Sequence, residues 1–199
     1  MSWIETTPYP ASTGRLRRLY DRVKGPEDNV DNIMLAHSLR PHSMEGHMAL
    51  YKSALHHSGN TIPKWFLEVL GVFVSMLNEC DYCVEHHFAG LLRLRPDASE
   101  EIRRSLEGET PSAHLAVKHE EALDYARILT LSPVSVAEDS VAGLREQGWS
   151  DGEILEINQV VAYFNYANRT VLGLGVTTEG DVLGLSPGDS SDPTNWNHD

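Results

Sequence analysis

The stretch from Lys64 to Arg93, KWFLEVLGVFVSMLNECDYCVEHHFAGLLR, decides how the rest of the chain is read. Its first half carries Trp65, Phe66, Leu67, Val69, Leu70, Val72, Phe73, Val74, Met76 and Leu77. A helix that is hydrophobic nearly all round belongs in the interior. Glu68 stands in the middle of it. A buried carboxylate is costly without a partner, and burial raises its pKa toward the range useful for proton transfer. The alternative is a pair between Glu68 and Lys64, although Lys before Glu is the less favourable order on a helix. Asn78 can end this helix or cap the next, which puts Cys80 and Cys83 at the N-terminus of a second helix. Residues at i and i+3 share a helix face, so the two sulfurs can come within bonding range. The positive end of the helix dipole also favours a thiolate. His87, four residues after Cys83, shares its face and makes a nucleophile and base pair with it.

Working outward, strand signals are nearly absent and helical ones recur, so the chain reads as all-α. Pro41 to His57 repeats apolar residues at helical spacing, and Pro63 precedes the stretch just described. Asp97 with Glu100, and Ser150 with Glu153, have the form of capping boxes. Thr110-Pro111 and Ser132-Pro133 place a cap residue before a proline. The second box leads into a long apolar helix from about Asp151 to Leu174, with Gly173 and Gly175 as a C-cap. One domain is expected over residues 1–199, with a helical core of about 14–176. The ends, 1–10 and 186–199, are rich in Pro, Ser, Gly, Asn and Asp and read as extended arms. Trp3 and Trp196 on these arms are candidates for docking on a neighbouring subunit.

The 199 residues include 16 Lys and Arg against 29 Asp and Glu, a formal charge of −13. That balance argues against nucleic acid as a partner. With 41% hydrophobic and 23% charged residues the composition is that of a globular protein large enough to bury a core without disulfides or structural metal. No apolar run approaches the roughly 20 residues of a membrane span, and the start lacks the basic and apolar regions of a signal peptide. A cytoplasmic protein is expected, without membrane contact.

Cys-x2-Cys-x2-His-His admits three readings: buried packing residues, a zinc site, or a redox dithiol. Consecutive histidines point about 100° apart on a helix, and no second Cys-x2-Cys or spaced His pair supplies a fourth zinc ligand, so no metal is assigned. A thioredoxin-like arrangement needs a strand before the motif, which this chain lacks. The redox dithiol is the favoured reading.

Glu68, eleven residues, Cys80-Asp-Tyr-Cys83, three residues and His87 together resemble the Glu-x11-Cys-x2-Cys-x3-His signature of the alkyl hydroperoxidase D-like enzymes in the carboxymuconolactone decarboxylase superfamily. Ala36-His-Ser-Leu-Arg-Pro41, Val74 to His87 and Phe164 to Val176 are similar to its peroxidase-related branch, and the resemblance spans roughly Gly14 to Val176. It implies a multi-helical fold with the dithiol at a helix N-terminus. It also implies a cofactor-independent thiol peroxidase, with Cys80 and Cys83 as the redox pair and Glu68 and His87 as the proton relay. The partners implied are a hydroperoxide, an external dithiol reductant and further copies of the chain in a trimer or hexamer. The pattern leans toward Cys83 as the relay-activated thiol and leaves open which sulfur meets the peroxide first. Tyr82 departs from the best-known members, which have histidine there, so Tyr82 and His86 are relay or pocket candidates. A phenol with pKa about 10 is no base at neutral pH. Two rivals are a non-catalytic redox-sensing or metal-binding dithiol protein and, further off, a lactone decarboxylase-like enzyme. Among the other histidines, His37, His42, His47, His56 and His57 are expected mostly at surfaces or interfaces, with His42, Met44, Glu45 and His47 able to line a pocket. Asn165, Asn168 and Arg169 are expected to be buried and hydrogen-bonded.

Overall fold

The computed structural model describes residues 2–108 and 112–197; the Thr110-Pro111 cap lies outside them. The described residues form nine α-helices and no sheet: α1 Gly14–Val23, α2 Asn32–Ala36, α3 Pro41–Leu55, α4 Lys64–Leu77, α5 Asp81–Leu94, α6 Ser99–Leu106, α7 Val117–Leu131, α8 Glu138–Glu146 and α9 Asp151–Leu174.

The apolar Lys64 stretch becomes α4, the central helix, where every residue from Phe66 to Ser75 is buried. It packs chiefly on α5 and α9. Gly71 sets the approach to α9, since a Cβ there would lie 2.2, 2.4 and 2.9 Å from three Phe164 ring atoms. Fully burying Phe66 and Phe164 contributes about 1.5–3 kcal/mol each. Helix α9 starts at the expected capping box, with the Ser150 N–H donating to Glu153 (2.8 Å) and the Glu153 N–H to Ser150 Oγ (3.3 Å). It ends at Gly175, whose φ of 60° gives the left-handed cap.

Two other start signals resolve differently. Asp97 does not cap α6; its carboxylate is taken by Arg95 two residues earlier (3.2 and 3.3 Å). Ser132-Pro133 opens only one 3-10 turn, Pro133–Ser135, and α8 begins later at Glu138.

The buried apolar residues form two clusters. The larger joins α4, α5, α7 and α9, while the smaller gathers α1, α2 and α3 around Cys80, Tyr82 and Cys83, and Tyr51 touches both. The dithiol therefore sits on the seam between two cores. After Gly175 the chain runs back across this seam as a strap, residues 176–197. Arg93 donates to Leu183 O (3.2 Å), Lys64 pairs with Asp189 (2.9 Å), and Arg22 donates to Thr194 O (2.6 Å). Trp196 is not a free docking residue, because it is buried in its own chain with the Arg22 guanidinium 3.5 Å above its ring. Trp3 is 80% exposed. No helix among the described residues is long and apolar enough to cross a membrane.

Candidate active site

The turn between α4 and α5 places the thiols. Asn78 ends α4, and Glu79 takes a left-handed φ of 55°. The Glu79 N–H then reaches Met76 O (3.0 Å) and the Cys80 N–H reaches Ser75 O (2.9 Å), the paired bonds of a Schellman motif. A non-glycine residue in this conformation costs about 1–2 kcal/mol. The turn leaves Cys80 as the N-cap of α5 and Cys83 in its first turn. Both are free thiols and both are buried.

The Cys83 thiol donates toward Cys80, which lowers the Cys80 pKa despite burial. That same bond, with burial added, pushes Cys83 well up. The Asn168 side chain hydrogen-bonds to the pair and lowers both. Asn168 is itself fully buried, donating to Ser75 Oγ (3.0 Å) and accepting from Asn78 (2.9 Å). Arg169 is exposed and bonds back to Asn165 of its own helix.

On one side of Cys83 lies a helix-borne pair. His87 Nδ1 and Glu68 Oε2 are 2.7 Å apart, both nearly out of solvent. Gly90 leaves room for the carboxylate, which a Cβ at that position would meet at 3.3 Å. Burial is the largest single influence on Glu68 and raises its pKa. The charge and hydrogen bond of His87, with the charges of His56 and Lys64, outweigh it, so the net shift is downward. The expected upward shift is thus reversed by the partner. Lys64 is not that partner, being paired with Asp189.

On another side the strap supplies the charge. Asp181 Oδ2 accepts the Tyr82 hydroxyl (2.8 Å) and faces His86 Nε2 (3.2 Å). The Asn32 N–H reaches both Asp181 oxygens (3.0 and 3.1 Å). Tyr82 also accepts the Ile33 N–H (3.2 Å). Burial, then the charges of Asp181 and Asp31, hold the Tyr82 pKa well above 10, so it acts as a donor. Adjacent histidines on α5 therefore face different carboxylates.

Between these sides is a cavity with about 50 Å³ of room for water centres, lined by Cys83, Glu68, His87, Tyr82, His86 and Asp31 among others. Its remaining wall is mostly aliphatic, with Ile33, Met34, Met48 and Leu185, and carries three rings. Tyr51 and Tyr163 stack at 5.4 Å and 27°, with the His47 ring 5.8 Å from Tyr163. Cys80, fully buried, instead borders two separate clefts, with Glu79 and Asp81.

Three histidines expected at the surface are buried: His37, His47 and His56. Burial lowers the pKa of each, that of His47 to about 3. Of the pocket candidates on α3, His47 lines the cavity, while His42 is exposed and Glu45 pairs with Arg15. Asp31, Tyr51, Tyr163, Asn168 and Asp181 belong to the site without having been singled out for it. Only Asn168 carried a signal, as a polar residue inside an apolar helix. Among the described residues no group of three or more His, Cys, Asp or Glu is arranged to hold a metal ion.

A dithiol at a helix start, packed beside a Glu-bearing central helix in an all-α bundle, defines the alkylhydroperoxidase D-like fold, and this chain has it. The alkylhydroperoxidase AhpD core of an uncharacterized peroxidase-related protein from Ralstonia eutropha JMP134 matches with a TM-score of 0.77 and 22% identity, over 90% of this chain and 93% of that one. A peroxidase-related protein from Silicibacter sp. TM1040 matches at 0.66 and 22%, over 75% and 76%. The debrominase Bmp8 matches at 0.68 and 17%, over 90% and 91%, and a cysteine-to-alanine variant of it has been solved in complex with 2,3,4-tribromopyrrole. No family model and no curated protein matches the sequence.

Proposed function

We propose that the protein is a thiol-dependent, peroxidase-like oxidoreductase that reduces alkyl hydroperoxides through a Cys80/Cys83 dithiol-disulfide cycle. The observation carrying this reading is that Cys83 and the Glu68–His87 pair line one cavity, while Cys80 borders two separate clefts. Cys83 is the higher-pKa thiol of the resting pair, so on approach of the peroxide its proton passes to the Glu68–His87 pair that shares its cavity, and its thiolate attacks the terminal peroxide oxygen. The S–O bond forms, the O–O bond breaks, and the departing alkoxide takes a proton to leave as the alcohol. Cys80 then attacks the Cys83 sulfenic acid, expelling water after protonation and closing the disulfide. An external dithiol restores both thiols by exchange. The largely apolar wall and the absence of Lys or Arg from the lining favour an uncharged substrate. No cofactor enters this cycle. A cytoplasmic homo-oligomer, trimer or hexamer, accords with exposed apolar residues such as Val134, Leu131 and Leu155.

Peroxide consumption with a dithiol reductant tests the reading. Wild type turns over and Cys83→Ser falls to background; an inactive wild type, or an active Cys83→Ser, sinks it.

The stacked Tyr51 and Tyr163 favour one further reading, reductive removal of bromide from a flat aromatic ring. The dithiol there supplies two electrons, the ring gains hydrogen, bromide leaves, and the disulfide forms. Bromide release from a bromopyrrole, with no peroxide turnover, selects it.

A further inference from the structure

The peroxide cycle leaves one proton unassigned. The Glu68–His87 pair takes a proton from Cys83, but the departing alkoxide, a far stronger base than any carboxylate, needs one delivered. Attack on an O–O bond runs in line, so the departing oxygen lies on the side of the transferred oxygen away from sulfur. The acid belongs on a different wall of the cavity from the thiol's own base.

Asp31 occupies such a wall. It is the N-cap of α2, a position where an aspartate ordinarily turns its carboxylate back onto the first backbone N–H groups. Here it makes no such bond. The Asn32 N–H is taken by Asp181 instead, and the Asp31 side chain lines the cavity with Oδ1 buried and unpartnered. A local rule is broken with no structural return, which marks a functional position. His47, another lining residue and 1% exposed, also has a buried atom without a partner, Nδ1. The other donors near Asp31 are committed: Tyr82 and His86 to Asp181, His87 to Glu68.

We propose that Asp31 is a catalytic acid which protonates the oxygen leaving from the substrate. This rests on the peroxide reading above. In the step, the Cys83 sulfur bonds to the terminal oxygen, the O–O pair of electrons goes to the departing oxygen, and the Asp31 carboxyl proton follows it to give the alcohol. Solvent reprotonates Asp31 before the next turnover. Burial, with the charge of Asp181 adding and that of His86 opposing, pushes the Asp31 pKa up to about 6, close to the working range of a general acid.

The test compares tert-butyl hydroperoxide, whose alkoxide must be protonated, with peracetic acid, whose carboxylate leaves without help. In Asp31→Asn and in Asp31→Ser, kcat/KM for tert-butyl hydroperoxide falls about 100-fold, the lower end for a general acid, while that for peracetic acid changes less than about threefold. Equal losses on both substrates in both variants, or no loss on either, overturn the assignment to Asp31 while leaving the peroxidase reading intact. A wild type that consumes neither peroxide overturns both.

Discussion

Two walls of one cavity are built on different principles. The Glu68–His87 wall joins residues 19 apart, both on regular helices of one hairpin. The Asp181 wall joins Tyr82 to a carboxylate 99 residues away and Asn32 to the same group 149 residues away. Both walls pair a histidine with a carboxylate, yet only the first follows from helical spacing. The difference teaches where a site of this kind hides its second half: in loop residues whose only qualification is arriving at the right place. It also separates the two carboxylates that face the thiol. Glu68 is held ionised by a partner, whereas Asp31 is held toward its neutral form by having none.

Three substitutions break or sharpen that contrast. The largest effect is expected for Glu68→Ala, which leaves His87 buried beside an empty site and costs about 3–5 kcal/mol at pH 7. Because the Glu68 pKa is depressed below its ordinary 4.5, its contribution is complete above that value and fades as pH falls through the lower folded value. Denaturant unfolding at pH 7 and pH 3 reads this out; a gap between wild type and variant that fails to narrow in acid contradicts the ionised pair.

Asp31→Asn has the opposite sign. With the carboxyl pKa raised from 3.8 to about 6, the folded state loses stability as pH rises across that window. The variant is therefore more stable than wild type above pH 7, by about 1–3 kcal/mol, and equal to it near pH 3. A thermal melt at pH 8 showing the variant less stable rules out an unpartnered carboxylate.

The smallest effect concerns the turn beneath the first wall. Glu79→Gly relieves the left-handed backbone at φ 55° and changes stability upward by about 1 kcal/mol or less, with turnover preserved. A loss of stability there means that Glu79 makes a contact worth more than its strain.

Much of the first wall was legible in the sequence. The apolar run around Glu68 marked a central helix, and the spacing of Cys83 and His87 put both on the cavity face, whereas Cys80, at the N-cap, lines other clefts. The direction of the Glu68 shift was not legible, because burial and a partner act oppositely and only the geometry shows which prevails. Tyr82 could be excluded as a base, but its bond to Asp181 depends on where the strap lands. His37, His47 and His56 read as surface or interface residues because no pair of them has ligand spacing with an acidic partner, and pattern alone does not show that all three are buried. Asp97 looked like a cap and was captured by its neighbour Arg95, a local competition that pattern alone does not rank.

The long separation between Asn32 and Asp181 also bears on how the protein is made. Chains are synthesised from the N-terminus at about 5–20 residues per second, so the α4–α5 hairpin is complete on the order of ten seconds before Asp181 exists. During that interval Cys83 and its Glu68–His87 pair can already stand together while the strap side of the cavity is unbuilt. Newly made chains thus pass through a stage in which the dithiol is more open to oxidants than in the finished molecule, and Leu185 and Ser186 of the strap are among the last residues to enclose it.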